Sequence, residues 1–130
     1  MSHKSKGINA ERELIHAFWK RGFAAIRVAG SGSTKYPSPD VLAGNASRRV
    51  AIECKASKDM VKYLTAKEVA ELAKFAEVFG AEAWIGMRFN DMEWFFLTLE
   101  DLKNSGKSFA VSIELAKKKG LKFEELIGNI

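Results

Sequence analysis

The sequence predicts an α/β domain with a central, mixed five-stranded sheet flanked by helices. Apolar residues spaced three and four apart predict helices, and alternating or continuous apolar runs predict five strands. Along the chain the order is a helix, three strands, a second helix, two strands and short C-terminal helices. No linker or repeat interrupts this order, so residues 1–130 are expected to form a single domain.

Charge and cysteine content narrow the class of protein. The 130 residues carry a net charge of +5, which favours an anionic partner. No apolar run is long enough to span a bilayer, so no membrane partner is expected. Cys54 is the single cysteine, which excludes an intrachain disulfide and a cysteine-based zinc site. These features predict a cytoplasmic protein.

The first helix is predicted to run from Asn9, as its N-cap, to Arg21, with Gly22 directly after its C-terminus. Glu11 falls on the apolar stripe of this helix, whereas Glu13 does not. A carboxylate on the buried side needs a cation, a metal or a hydrogen-bond donor. An equally weighted alternative is that Glu11 lies at the stripe's margin, in the first turn. The stripe comprises Ile8, Leu14, Ile15, Phe18 and Trp19.

A loop of small residues separates a predicted strand over 23–28 from the next strand over 40–43. Its glycines, hydroxyl groups and Lys35 suit contact with phosphate, although a flexible surface hairpin is the alternative. In the third strand, over 50–55, alternation puts Glu53 and Lys55 on one face. Asp40, at the start of the neighbouring strand, is expected to bring a second carboxylate beside them. Two carboxylates and an ammonium suit Mg²⁺ and a phosphodiester.

The Pro39-Asp40 dipeptide and the Glu53–Lys55 pair also have an ordinary structural interpretation. Taken alone, the two motifs fit that interpretation slightly better than a catalytic one. Pro39-Asp40 is a common turn dipeptide, and Glu53 with Lys55 is a common exposed ion pair.

The second half of the chain is predicted to begin with a polar connection over 56–64. A capping box at Thr65 then opens a helix that ends at Gly80. Strands over 83–89 and 93–97 form a hairpin around Asn90-Asp91, with large apolar residues on both faces. We expect something beyond the helices of the domain to cover one of these faces. Short helices are predicted near 100–103, 112–119 and 123–127.

The combination of motifs resembles the PD-(D/E)xK nucleases, which have the restriction-endonuclease-like fold. The closest similarity is to the archaeal Holliday junction resolvases of the Hjc type, and it runs from Lys6 to about Leu97, with a weaker match over 121–128. The segments that carry it are KGINAEREL (6–14), GFA (22–24), Arg27, AGSGS (29–33), PDVLA (39–43) and IECK (52–55).

The resemblance implies a catalytic site and a metal-dependent reaction. It gives Glu11, Asp40 and Glu53 the role of holding Mg²⁺, for which Mn²⁺ is expected to substitute. Lys55 would orient the attacking water or stabilise charge on the scissile phosphate. A loop serine is also implicated, and we favour Ser31 with Ser33 left open. Hydrolysis in this family leaves a 5′-phosphate.

The resemblance also implies a four-way DNA junction as substrate. Basic and hydroxyl side chains near the motifs are candidates for contact with DNA phosphates, and each also has the ordinary interpretation of a solvated surface group. These candidates are Lys4, Lys6, Arg12, Arg27, Ser33, Lys35, Arg48, Arg49 and Lys58, together with Lys62.

A homodimer is the expected assembly, because the second helix and the hairpin carry more apolar surface than one buried stripe needs. The resemblance to dimeric resolvases agrees with it. The residues predicted at the interface are Phe75, Phe79, Trp94 and Phe96.

Two other functions remain open at the level of sequence. One is a different nuclease of the same fold, of the repair, nicking or restriction type. The other is a non-catalytic DNA-binding protein, which is disfavoured because all the acidic residues and Lys55 are present. Replication or recombination proteins that bind the chain are not identifiable from the sequence.

Overall fold

The computed structural model describes residues 3–29 and 35–128, with side chains described from residue 7 onward. The helices are α1 (His3–Lys20), α2 (Ala66–Phe79), α3 (Ile113–Lys119) and α4 (Phe123–Gly128). The strands are β1 (Ala24–Arg27), β2 (Val41–Gly44), β3 (Arg49–Ser57), β4 (Val61–Thr65), β5 (Glu82–Phe89), β6 (Trp94–Leu97), β7 (Lys103–Asn104) and β8 (Ser108–Ser112).

A five-stranded sheet in the order β1-β2-β3-β5-β6 forms the centre of the molecule. Strands β3 and β5 are parallel, and the other neighbours are antiparallel. The predicted mixed sheet is therefore confirmed. Val41 is opposite Ile52 in the β2–β3 register, so the residue that precedes β2 lies beside the middle of β3.

Each face of this sheet has its own apolar core. On one face, Leu14 and Phe18 of α1 pack with Val50 and Ile52 of β3. On the other face, Ala51 packs with the apolar side chains of α2 and of a smaller sheet. The alternation predicted for β3 is thus confirmed. Within the described residues no helix is both long and apolar enough to cross a membrane.

Helix α1 differs from its prediction at its start and along one edge. It begins at His3, so Asn9 lies within the helix and is not its N-cap. No proline stands among the residues before Asn9 to stop the helix. Trp19 is 59% exposed, outside the buried stripe, and its indole N–H donates to the Ala25 carbonyl at 3.0 Å. Gly22, with φ of +84°, follows the helix end as predicted.

The prediction of a polar connection over 56–64 is wrong. Strand β3 continues to Ser57, and β4 forms a second, three-stranded sheet in the order β4-β8-β7. Leu64 on β4 is buried in the core beside α2. The partner strand β8 comes more than forty residues later in the chain. Pairing over that separation leaves no local signal in either segment.

The later predictions are mostly confirmed. The capping box at Thr65 is present, and α2 ends at Gly80 in the left-handed conformation. The hairpin turn holds Asn90 at φ of 47°. Ser112 caps α3, which ends before Gly120, and α4 is also present. The helix predicted over 100–103 is only a short 3-10 turn at Leu99–Asp101.

The assignment of Trp94 and Phe96 to a dimer interface requires correction. Phe96 is fully buried and Trp94 is nearly so, because both pack within the core beside α1. Phe95 and Leu97, on the opposite face of β6, are buried in the core beside α2. The protomer therefore covers both faces of the hairpin by itself.

Replacement of two adjacent residues of α1 tests this corrected packing. Phe18→Ala is expected to lower the free energy of unfolding by about 3–5 kcal/mol, because it leaves a cavity in a closed core. Trp19→Ala is expected to cost less than about 2 kcal/mol, since it loses one hydrogen bond and little burial. Urea unfolding at one fixed protein concentration measures both. Equal losses in the two variants would contradict the packing described.

Candidate active site

Asp40 is fixed against β3 by two hydrogen bonds. Its backbone N–H donates to the Ile52 carbonyl at 3.0 Å, which extends the β2–β3 pairing by one residue. Its carboxylate accepts a hydrogen bond from the Cys54 backbone N–H at 2.8 Å. The Cys54 side chain packs in the core beside α1, where burial raises the pKa of its thiol. Pairing and side-chain contact together hold the Asp40 carboxylate beside β3.

Glu53 and Lys55 lie on the same face of β3, as their spacing predicts. The Lys55 ammonium is 3.6 Å from Oε2 of Glu53, and both side chains are largely buried. The parallel pairing with β5 puts Ile85 and Met87 beside them. The predicted grouping of Asp40, Glu53 and Lys55 is therefore present in the structure.

Glu68, on α2, is a member of this cluster that the sequence did not reveal. Its Oε2 accepts a hydrogen bond from the Lys55 ammonium. Its other oxygen, Oε1, accepts from the Thr65 backbone N–H at 3.0 Å and completes the capping box. The capping box marked Glu68 as a helix-capping residue, but the contact with Lys55 depends on how α2 docks on the sheet.

Glu11 projects from α1 toward the same region. Its carboxylate is 3.8 Å from the guanidinium of Arg27, and its side chain is 17% exposed. Burial raises its pKa, the nearby charge of Asp40 adds to this, and Arg27 opposes it. Glu13, by contrast, is 64% exposed and pairs with Arg88 at 2.9 Å. The predicted difference between the two glutamates is present in the structure.

The site holds more negative charge than its basic groups neutralise. Burial, the charge of Asp40 and a hydrogen bond shared with it raise the pKa of Glu53 to about 8, although Lys55 opposes the shift. Burial disfavours the ammonium of Lys55, but the hydrogen bond and charge of Glu68 outweigh it and raise the Lys55 pKa. A carboxylate whose pKa is raised by burial and by a neighbouring carboxylate is stabilised in its charged form when a cation binds beside it.

The donor set suits a hard divalent cation. Asp40 and Glu53 supply carboxylate oxygens, which Mg²⁺ prefers. The charge of Asp40 contributes to the raised pKa of Glu53, and a cation between the two carboxylates would neutralise that charge. The described residues contain no group of three or more acidic, histidine or cysteine side chains arranged to hold a metal. The fit therefore rests on this pair, with Glu11 turned toward Arg27 at its margin.

Two of the predicted DNA contacts have other partners. Arg48 donates to both oxygens of Glu82, at 2.8 and 2.9 Å, and to the Leu126 carbonyl at 2.6 Å. Arg49 donates to the Gly80 carbonyl at 3.1 Å, beside the end of α2. Arg48 directly precedes β3 and Arg49 begins it. Their backbones are about 13–17 Å along the strand from that of Glu53. These contacts give the two arginines a packing role, so neither supports the DNA assignment.

The remaining candidates for DNA contact are distributed as follows. Arg27 is beside Glu11, and Arg12, Lys35 and Lys58 are exposed, with the Lys35 ammonium 5.8 Å from the ring centre of Tyr36. Lys62 is partly exposed. Ser31 and Ser33 lie outside the described residues, as do the side chains of Lys4 and Lys6.

Fold and site together define a protein of the restriction-endonuclease-like class, in which the acidic pair and lysine are carried on adjacent strands. Comparison with known proteins narrows this class. The family model described as archaeal Holliday junction resolvase (hjc) matches residues 2–130. The chain belongs to this family, which confirms the resemblance seen in its sequence.

Individual relatives agree with the family match. A protein of Archaeoglobus fulgidus named crossover junction endodeoxyribonuclease Hjc is 42% identical, covering 97% of this chain and 98% of the relative. A Methanocaldococcus jannaschii protein of the same name is 34% identical, with coverage of 99% and 92%. The solved structure of A. fulgidus Hjc, described as a Holliday junction resolvase, matches with a TM-score of 0.86 at 40% identity. That match covers 95% of this chain and 96% of the other.

The raised pKa of Glu53 predicts how stability depends on pH when no metal is bound. The folded-state pKa is about 8, above the ordinary value of 4.5, so between these values the folded protein holds a proton that the unfolded chain has released. The stabilisation from the protonated Glu53 is complete below the ordinary pKa of 4.5 and is lost as the pH rises through the folded-state pKa of about 8. We therefore expect the free energy of unfolding to fall from about pH 5 to about pH 8.

Urea unfolding in the presence of a chelator, at several pH values across this interval, measures the effect. Glu53→Gln is the control, because it removes the titrating group and should flatten most of the decrease. The lowered pKa values of Glu68 and Glu82 do not interfere, since their stabilisation is already complete above the ordinary value of 4.5. A decrease of the same size in wild type and Glu53→Gln would show that Glu53 is not its source.

Proposed function

We propose that this protein is a metal-dependent endonuclease that cuts opposed strands of four-way DNA junctions as a homodimer. The observation that carries the proposal is that Asp40, directly before β2, lies beside Glu53 and Lys55 of the adjacent strand β3. Membership of the resolvase family supports the substrate, and relatives named crossover junction endodeoxyribonuclease support the reaction. The whole chain acts as one resolvase domain in this proposal, in the cytoplasm with its DNA substrate.

Asp40 and Glu53 are the residues that would hold the metal, with Glu11 as a further oxygen donor from α1. Mg²⁺ is the proposed ion, and Mn²⁺ is expected to substitute because it accepts the same oxygen ligands. Bound there, the ion would lower the pKa of a water molecule and stabilise charge on the phosphate oxygens. The hydrogen bond from the Cys54 N–H keeps the Asp40 carboxylate in place before any ion arrives.

Lys55 supplies a positive charge at the reaction centre in addition to that of the metal ion. Its ammonium lies beside the acidic pair and is held by Glu68, so it is fixed in advance of DNA binding. A fixed charge at the scissile phosphate stabilises the transition state without reorganisation. The attacking water displaces the 3′ oxygen in line, which leaves a 5′-phosphate. Ser31, or Ser33 in its place, is proposed to contact the phosphate.

Phosphate contacts are proposed for basic groups close to the site or exposed beside it. Arg27 lies next to Glu11, and Arg12 follows Glu11 on α1. Lys35 is exposed near the start of β2, and Lys58 follows the end of β3. These groups, with Lys4 and Lys6, would position the DNA backbone without reading its sequence.

Two sites are needed to cut opposed strands of a junction, and a homodimer supplies them. Phe75 and Phe79 stack on α2 with their ring centres 5.3 Å apart. Phe79 is 47% exposed, and the neighbouring Val78 is also exposed. This apolar surface of α2 is the proposed interface. A two-fold axis through such a surface would match the approximate two-fold symmetry of a four-way junction.

A cleavage assay on a synthetic four-way junction, with a matched linear duplex beside it, tests the proposal. We expect paired cuts in opposed strands of the junction when Mg²⁺ is present, and none with a chelator. The duplex should remain intact. Equal cleavage of both substrates would indicate another nuclease of this fold, and no cleavage under any metal condition would refute the proposal.

The carboxylates are expected to be essential for cleavage but not for DNA binding. Asp40→Asn or Glu53→Gln should reduce the single-turnover rate by at least about 10³-fold, because each removes a metal ligand. Affinity for the junction should stay within a few-fold, since it comes from basic groups. Gel-shift and quenched-flow measurements separate the two effects. Normal turnover in either variant would refute the assignment of the site.

Glu11 and Glu13 offer a matched pair on one helix. Glu11→Gln is expected to lower the single-turnover rate by about 10–100-fold, because Glu11 faces the acidic pair and supports the metal. Glu13→Gln changes an exposed residue that pairs with Arg88, so its rate should stay close to that of wild type. The same junction assay compares them. A larger loss in Glu13→Gln would contradict the orientation of α1.

The dimer proposal is tested through the exposed member of the aromatic pair. Phe79→Asp should shift the protein toward monomer, because it buries a charge in an apolar interface. Sedimentation equilibrium at micromolar concentration measures the shift. Tyr63→Asp, at another exposed aromatic residue, is the control and should leave the assembly unchanged. A wild-type monomer that still cuts both strands in one binding event would rule out the proposed assembly.

A further inference from the structure

Glu68 connects the second helix to the catalytic lysine through both of its carboxylate oxygens. Oε1 accepts from the Thr65 N–H at 3.0 Å, within the capping box that begins α2. Oε2 accepts from the Lys55 ammonium. The first contact fixes the side chain to its own helix, so the second holds Lys55 to a rigid element. A cap alone would require only the first of these contacts.

The position of Lys55 matters because a second acid competes for it. Oε2 of Glu53 is 3.6 Å from the Lys55 ammonium, beyond a normal hydrogen bond but within ion-pair range. If Glu68 were absent, Glu53 would be the nearest described carboxylate able to take up that ammonium. Closer pairing of the two would occupy the oxygen that a metal needs.

We propose that Glu68 is a positioning residue that holds the Lys55 ammonium away from Glu53 and thereby keeps the Glu53 carboxylate available to a divalent cation. The inference rests on the proposed function, in which Glu53 is a metal ligand and Lys55 acts at the phosphate. It adds a residue on α2 to a site whose other members lie on α1, β3 and the start of β2. Glu68 itself touches neither metal nor DNA in this arrangement.

Three variants separate positioning from helix capping and from charge. Glu68→Ala removes every contact of the carboxylate, including the hydrogen bond at 3.2 Å that it accepts from the Thr65 hydroxyl. Glu68→Gln removes the charge and keeps one acceptor oxygen, which the charged Lys55 donor takes in preference to the Thr65 N–H, because the amide nitrogen can only donate. Ser112→Ala removes the N-cap of α3, where the serine accepts from the Leu115 N–H, and leaves the site untouched. It controls for the general effect of losing a helix cap.

Binding of Mn²⁺ to the DNA-free protein, followed by the electron paramagnetic resonance signal of the free ion, is the primary measurement. Glu68→Ala is expected to weaken Mn²⁺ binding about 10–100-fold, the loss typical of residues that support metal ligands. Glu68→Gln should stay within about 3-fold of wild type, and Ser112→Ala should equal wild type. In the junction assay, the Mg²⁺ concentration for half-maximal cleavage should follow the same order, with junction affinity unchanged.

The other outcomes overturn the inference. Wild-type Mn²⁺ affinity in Glu68→Ala would show that Lys55 needs no positioning. A loss in Glu68→Gln as large as in Glu68→Ala would assign the effect to charge, and a loss in Ser112→Ala would assign it to helix stability. Failure of the proposed function is distinguishable, because wild type would then bind Mn²⁺ but cut no junction. If wild type cuts the junction and Glu68→Ala behaves identically, only the role of Glu68 fails.

Discussion

The antiparallel pairing of β2 with β3 is the constraint on which the site depends. It extends one residue beyond β2, where the Asp40 N–H donates to the Ile52 carbonyl, and the Cys54 N–H then binds the Asp40 carboxylate. A shift of this register by one residue would turn Glu53 to the opposite face. Val50 and Ile52 are buried beside α1, and such a shift would turn their side chains away from this core. The loss of that burial opposes the shift. Core packing thus fixes the geometry of the polar site.

Each remaining polar group reaches the site from an element that packs on one face of the sheet. Glu11 comes from α1, which covers one face, and Glu68 comes from α2, which covers the other. The site therefore lies where both layers meet the start of β2 and the middle of β3. The arrangement has an electrostatic cost, because burial and then the nearby charge of Asp40 raise the pKa of Glu53 and of Glu11. Such strain is typical of functional sites, and a bound cation would relieve it.

Most of the site was predictable because it depends on residues that are close together in the sequence. Glu53 and Lys55 share a face through strand alternation, and Glu11 differs from Glu13 through helical periodicity. The prediction of a dimer interface on the hairpin conflicts with the structure, and the interface on α2 remains a proposal. Phe79 is exposed on α2 and stacks on the half-buried Phe75, whereas Trp94 and Phe96 belong to the protomer core. An aromatic-rich strand has the same pattern whether a partner or its own domain covers it, so sequence does not separate these cases.

By itself the sequence determined the mixed five-stranded sheet, the capping box of α2, the faces of β3 and, through its motifs, the family. These properties depend on side-chain periodicity and on residues next to one another in the chain. Only the tertiary structure decided the second sheet of β4, β8 and β7, the pairing of Arg48 with Glu82 and the contact of Glu68 with Lys55. Each joins segments distant in sequence. Their meeting depends on how whole elements dock, and docking is set by the total apolar surface to be buried, which no local pattern specifies.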